Sequence, residues 1–288
     1  MLAHIAIDVL VNRSLWTQIT VAARLWQCLI SGFADLWHGL QQWRQWHLLG
    51  IIDLRRRYAR SRIGQLWLVI STAILIITLS SVWALLWRHP VADLMPFVGS
   101  GVILWNYISA VITECTSIFS THANIYRNQK TSFPVSVYSI IYKNTIVLAH
   151  NALIIVALIL IFQVPVRWHL LQLIPGFILI WITMTWGGYL IGMVCARYRD
   201  VTQVVVNALH ILFFVTPVLW KPELLPQNYH FIIDYNPFAH YLELLRNPVL
   251  GQPIDLESWL VALAITFGGG LLTLPIIGYY ERRLIYWV

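Results

Sequence analysis

Long apolar stretches separated by short polar ones run through this chain from about residue 64 to its end. Runs of the length a lipid bilayer demands, about 20 residues, fall at roughly 64–87, 96–121, 144–163, 170–196, 201–220 and 258–280. The segment from Trp67 to Trp87 carries no formal charge at all. At about 1.5 Å per residue it is long enough to cross a ~30 Å hydrocarbon core. The fifth run is short and is ended by Pro217 and Pro222, which interrupt or terminate a helix. The pattern predicts an all-α polytopic membrane protein with six spans.

Upstream the period changes. Apolar residues recur at Ile19, Ala22, Ala23, Trp26, Leu29, Ile30, Phe33, Leu36, Trp37 and Leu40, while Thr20, Arg24, Gln27, Ser31, Asp35 and Gln41 fall largely on the opposite face. Such a stripe predicts a helix lying flat on the membrane, or one packed on a partner. Between it and the first span stand Arg55, Arg56, Arg57, Arg60 and Arg62. Arginines immediately before a span hold the cytoplasmic interface, where anionic head groups attract them. The chain then divides into an amphipathic cytoplasmic extension with an interface helix (1–63), the six-span domain (64–280) and a cytoplasmic tail (281–288).

Charge tests that orientation. Eight Lys and Arg lie before the first span, three in 122–143, two at Arg197 and Arg199 and two at Arg282 and Arg283, so 15 of 19 share one side. Only Arg88, Arg167, Lys221 and Arg246 are left for the other. The bias predicts that both termini and the two inner loops lie in the cytoplasm, with the chain in the cytoplasmic membrane. With 59% hydrophobic and only 11% charged residues, a soluble globular protein is excluded. The net charge of +7 sits at span edges and forms no nucleic-acid motif, so membrane lipids and a partner subunit are its expected recipients. Cys28, Cys115 and Cys195 are scattered without CxxC spacing. The lone His150 and His210 likewise give no metal spacing. No charged leader with a small-residue cleavage site opens the chain, which is therefore expected to be mature from its first residue.

Candidate chemistry is sparse and polar. Glu114 is the only formal charge within a span, and Thr113, Cys115, Thr116 and Ser117 beside it make that part of the helix polar. A carboxylate there must face water, a partner or another subunit, or snorkel to the interface. Trp83, Trp105, Tyr107, Phe213 and Phe214 could line a passage, since ring faces stack on sugars, although lipid-facing aromatics give the same sequence. Trp67, Trp87, Trp220 and Trp287 sit where interfacial anchors belong. Asn124, Arg127, Asn128, Gln129 and Lys130 form a polar inner loop closed by Pro134, suited to docking a soluble protein or simply to solvation. Asp200 follows Arg197, Tyr198 and Arg199 in a tight inner turn and can cap the next helix.

On the outer side, Asn236 and Pro237 make an N-cap and first helical residue, and Phe238, Tyr241, Leu242 and Leu245 form one apolar face. They predict a short amphipathic outer helix between the last two spans. Asp234, His230, His240 and Glu243 cluster there, but their spacing matches no acid, base or nucleophile pattern. A membrane-embedded glycosyl- or acyltransferase is therefore disfavoured. No GxxxxGK[ST] loop occurs, so any ATP chemistry belongs elsewhere.

Four segments in order, RYARSRIGQLWLV, NIYRNQKTSFPVSVY, ARYRDVTQVVVNALHILFFVTPVLW and NPFAHYLELLRNPVLG, resemble the membrane-spanning subunits of type-2 ABC polysaccharide exporters (O-antigen, capsule and teichoic acid) from about residue 48 onward. The resemblance implies a homodimer, a separate ATP-binding subunit that carries ATP and Mg and docks on the loop around Arg127, and a lipid-linked polysaccharide passing between the two copies. It also implies that the helix from Asn236 through Leu245 helps close the exit, and that this chain has neither cofactor nor catalytic residue of its own. A type-2 exporter of drugs or small lipids would share the architecture; the basic, tryptophan-containing entry and the aromatic abundance favour a polymer.

Overall fold

The computed structural model describes residues 24–58, 64, 66–128, 131–165 and 167–287, without the side chains of Arg57, Tyr58, Asn124, Arg127, Asn128 and Arg282. Among the described residues every regular element is helical. Helix α1 covers 24–41. It is followed by α2 (Trp43–Tyr58), α3 (Leu66–Trp87), α4 (Val91–Thr121), α5 (Ala123–Asn128), α6 (Phe133–Phe162), α7 (Leu173–Arg197) and α8 (Val201–Val215). Beyond a broken segment come α9 (Phe231–Asp234), α10 (Pro237–Val249), α11 (Leu256–Leu263), a π-helical turn over Ala264–Gly269, and α12 (Gly270–Leu284). Among the described residues, five helical stretches are long and apolar enough to span a membrane, the last of them running Leu256–Glu281, and α8 is a shorter apolar sixth.

Helix α4 is the axis. Val98, Val102, Ile108, Val111 and Cys115 are fully enclosed by neighbouring helices. Lipid gives helices no hydrophobic reason to associate, so close backbone approach must supply the contact energy. Gly188 and Gly192, four apart on α7, provide it: a Cβ on Gly188 would lie 2.8 Å from the Cys115 sulfur, and one on Gly192 3.0 Å from the Cys115 carbonyl.

Element boundaries depart from the hydropathy pattern in two informative places. Helix α6 begins at Phe133 rather than 144, with Ser132 before it and Pro134 in its first turn. Lys143 therefore lies inside a helix, where Glu114 of α4 pairs with it at 2.7 Å. Helix α8 stops at Val215 rather than 220, because the residue before a proline avoids helical torsions and Thr216 is extended at φ −78°, ψ 140°. A helix of 15 residues rises only about 22 Å, short of a ~30 Å core.

Helix α1 keeps most of its apolar stripe on the surface and touches the bundle through other residues. Small residues make the protein contact: a Cβ on Gly32 would fall 2.2 Å from the Leu274 carbonyl of α12, and one on Gly278 2.1 Å from the Cys28 carbonyl. Gly39 meets Pro134, and the Tyr138 hydroxyl donates to the Leu36 carbonyl at 3.0 Å. Trp26, Ile30, Phe33 and Trp37 stay exposed, forming the stripe that suits a lipid surface. The part of the amphipathic pattern at 19–23 lies outside the described residues.

Candidate functional site

A groove of about 740 Å³ runs along α4, flanked by α3, α6 and α8. Five of the six expected pathway residues line it: Trp105, Tyr107, Glu114, Phe213 and Phe214. Trp83 does not; it stacks on Trp87 at 4.4 Å, one turn along α3. The helical period brings Tyr107 and Glu114 seven residues apart onto one face of α4.

The five differ in what they offer. Trp105 is only 4% exposed, its ring held between Phe213 at 5.9 Å and Phe238 of α10 at 5.6 Å. Tyr107 is equally enclosed, against Phe177 and 3.5 Å from the Thr145 hydroxyl. These two rings are built into the wall, whereas Phe214 is 67% exposed.

The polar wall was largely missed by sequence reasoning. Asn144 donates to Glu114 at 3.0 Å while also bonding the Ile140 carbonyl, so the carboxylate has both Lys143 and an amide holding it. Asn151 lies seven residues further along α6, buried, with its carboxamide oxygen lacking a protein partner. Asn106, His210, Thr72, Ser109 and Thr113 add further polar groups to the lining. An i, i+7 repeat of asparagine within an apolar run was the available signal, since each amide in lipid needs a partner or water.

At the end remote from α2 and α5, the expected outer helix is enclosed on nearly every side. Ala239, His240, Tyr241, Leu242, Leu244, Leu245 and Val249 of α10 are all buried. Asn236 caps it, accepting from the Phe238 amide at 3.0 Å and donating to the Thr216 hydroxyl at 2.9 Å, and Pro237 takes the first helical position. The Tyr241 hydroxyl is shared with Thr183 of α7 at 2.7 Å and Thr266 of the π turn at 2.8 Å. Trp186 donates its indole proton to the Thr266 carbonyl at 3.1 Å and packs where a side chain on Gly269 would sit, so the π turn in the last span is held open by a specific donor.

Arg246 is the least expected member of α10. Counted from sequence as an outer loop charge, it is 1% exposed, donates to the Pro217 carbonyl at 2.6 Å and lies 3.9 Å over the Phe97 ring. It satisfies a carbonyl at the broken end of α8, where irregular backbone must be covered by protein. Helix α10 thus reaches the broken end of α8 through Arg246 and Asn236.

The opposite end carries Arg55 and Arg56, both exposed on α2. Among the other expected interface arginines, Arg57 is placed only as backbone of α2, and Arg60 and Arg62 lie outside the described residues. Of the docking residues, Asn124, Arg127 and Asn128 fall on the short helix α5, while Gln129 and Lys130 lie outside the described residues. Asp200 precedes α8 without a side-chain capping bond; its carbonyl instead accepts from the Gln203 amide at 3.1 Å.

Comparison with known proteins agrees with this architecture. The family described as "ABC-2 type transporter" matches residues 44–250. An "O-antigen export system permease protein RfbA" of Klebsiella pneumoniae is 26% identical over 226 residues, covering 75% of this chain and 86% of the relative. A second Klebsiella pneumoniae protein of that name is 24% identical over 215 residues, covering 71% and 80%, and one of Myxococcus xanthus is 24% identical over 171 residues, covering 58% and 65%. The match takes in α2 through α10, including the interface helix, the groove and the outer helix. With five helices of spanning length and a matched region that holds most of them, this is a multi-pass membrane protein, and the chain belongs to the ABC-2 type transporter family.

Proposed function

We propose that this chain is the permease subunit of an ATP-driven exporter that carries a lipid-linked or lipid-capped polysaccharide, of O-antigen or capsule type, out across the cytoplasmic membrane. Two copies face each other along their α4 grooves and pair with two ATP-binding subunits, which hold ATP and Mg. Both termini and α5 are cytoplasmic, and α10 closes the outer end. The observation that carries the reading is the groove itself: one surface combines aromatic rings with amides and a paired carboxylate, which is the mixture a hydrated sugar chain needs. Aromatic faces match the C–H faces of sugar rings, and amides exchange hydrogen bonds with hydroxyls. The relatives named for O-antigen export support the same class.

ATP hydrolysis belongs to the separate subunit in this reading, and Asn124, Arg127, Asn128, Gln129 and Lys130 are the residues on which that ATPase docks. Deleting the gene should leave polymer at the cytoplasmic face, and the wild-type chain should restore surface polysaccharide with an ATP-binding protein co-purifying. Normal surface polymer in the deletion strain would overturn the assignment. A single cysteine replacing Lys130 should be labelled only after the cells are opened; labelling from outside would reverse the topology.

A further inference from the structure

Four polar side chains from different parts of the chain meet at the basic end. His122, between α4 and α5, is buried, with Nδ1 3.0 Å from the Ser136 hydroxyl of α6 and Nε2 3.6 Å from an Asp53 carboxylate oxygen of α2. Tyr126 of α5 donates its hydroxyl proton to the same Ser136 oxygen. Burial pushes the Tyr126 hydroxyl up from its ordinary range, which keeps it a donor.

Ser136 accepts from Tyr126 and shares a second hydrogen bond with His122 Nδ1, while the other ring nitrogen of His122 faces the Asp53 carboxylate, so one serine and one imidazole join α5, α2 and the start of α6. The His122 contact holds the Asp53 carboxyl below the usual carboxylate range, with Lys143 and Arg56 adding their charge. Lys143 is the partner of Glu114 in the groove.

A Ser, His and Asp in line suggests a nucleophile, yet Ser136 has no exposed surface and its oxygen already accepts a proton from Tyr126. No substrate atom can approach it. What the chain of bonds does is mechanical: it ties α5 to α2 and to the start of α6. Apolar packing alone tolerates sliding, whereas a series of directional bonds fixes register.

Resting on the docking role of α5 given above, we propose that Asp53, His122, Ser136 and Tyr126 are positioning residues that transmit movement of the ATPase-docking helix to the interface helix α2 and to the start of α6, the helix whose Lys143 pairs with Glu114 in the groove. A nucleotide-driven shift of α5 then moves α2 and the inner end of the passage as one body. Breaking the chain leaves the subunits assembled and uncouples hydrolysis from export.

The test uses the intact complex, permease with its co-purified ATP-binding subunit, carrying Asp53→Asn, Ser136→Ala or His122→Gln, with Asp53→Glu as the conservative control. Surface polysaccharide, ATP hydrolysis and subunit stoichiometry are measured for each. Expected is an export rate about tenfold lower per ATP hydrolysed in the first three, stoichiometry and hydrolysis within twofold of wild type, and recovery of coupling by Asp53→Glu. Wild-type coupling in Asp53→Asn and Ser136→Ala would overturn the proposal, and so would a loss of export that only follows loss of protein in all three. If the unmodified permease captures no ATP-binding subunit, the functional assignment itself fails, before any variant is compared.

Discussion

Each end of the bundle holds a short helix, α10 at one and α5 at the other, and the two are held by different physics. Helix α10 is 13 residues long, capped at its start and enclosed by α4 and α7, with Arg246 fastening it to the end of α8. Helix α5 is six residues long, and one buried side chain, Tyr126, anchors it, packed on Phe119 and Phe133 and hydrogen-bonded to Ser136. Burial on all sides makes a rigid part. Directional bonds between partly exposed elements make a part that can be displaced and returned, because each bond is worth only about 1 kcal/mol net. On the function proposed above, the difference suits an outer helix whose displacement needs the whole bundle to rearrange and a docking helix that responds to a partner.

The comparison breaks most readily at Arg246. Arg246→Met keeps the length of the side chain but leaves the Pro217 carbonyl without its donor and the Phe97 ring without its cation. The unsatisfied acceptor and the lost cation–π contact together cost about 3 kcal/mol. Protein yield should fall and the melting temperature in detergent should drop by several degrees. A variant as stable as wild type would mean that α10 is held by packing alone and that the two ends do not differ in the way argued.

Tyr241→Phe sharpens the same point with a smaller change. It removes one hydroxyl from a group of three in which Thr183 and Thr266 remain 2.9 Å apart and can still pair. The loss should be about 1 kcal/mol, with export altered more than yield if the π turn and α10 move together. Thermal melting and surface polysaccharide in the same cells would separate the two quantities.

How far these ends could be foreseen depends on whether their partners are local. The cap of α10 was legible because Asn236 and Pro237 stand directly before an apolar face, and all three signals fall within one turn. The burial of Arg246 was not, since its acceptor is 29 residues away and exists only because Pro217 ends α8. The spans were legible as charge-free runs. The reach of α6 down to Phe133 was hidden by Lys143, a charge that hydropathy penalises and Glu114 neutralises. In α1 the pattern showed an apolar stripe and left open what it faces; the contact with α12 runs through Gly32 and Gly278, whose use depends on a helix about 240 residues away. The aromatic part of the groove was visible in sequence and the amide part was not, because lone asparagines in a span carry no signal until two share a face.

The smallest expected effect on stability is also the one that bears most directly on transport. Phe214 exposes 67% of its surface and lines the groove, so truncating it removes little packing and should change stability by no more than about 0.5 kcal/mol. Trp105 is the contrasting position: enclosed between Phe213 and Phe238, it touches both the groove and α10, and its truncation acts on the fold first. Phe214→Ala should therefore keep normal abundance, normal melting and normal binding of the ATP-binding subunit while surface polysaccharide falls severalfold. That result would show a ring working on the transported chain rather than on its neighbours. Unchanged export in Phe214→Ala, with ordinary protein levels, would instead assign that ring to lipid or to the second copy of the permease. It would leave Glu114, Asn144 and Asn151 as the groove side chains through which sugar contact must be sought.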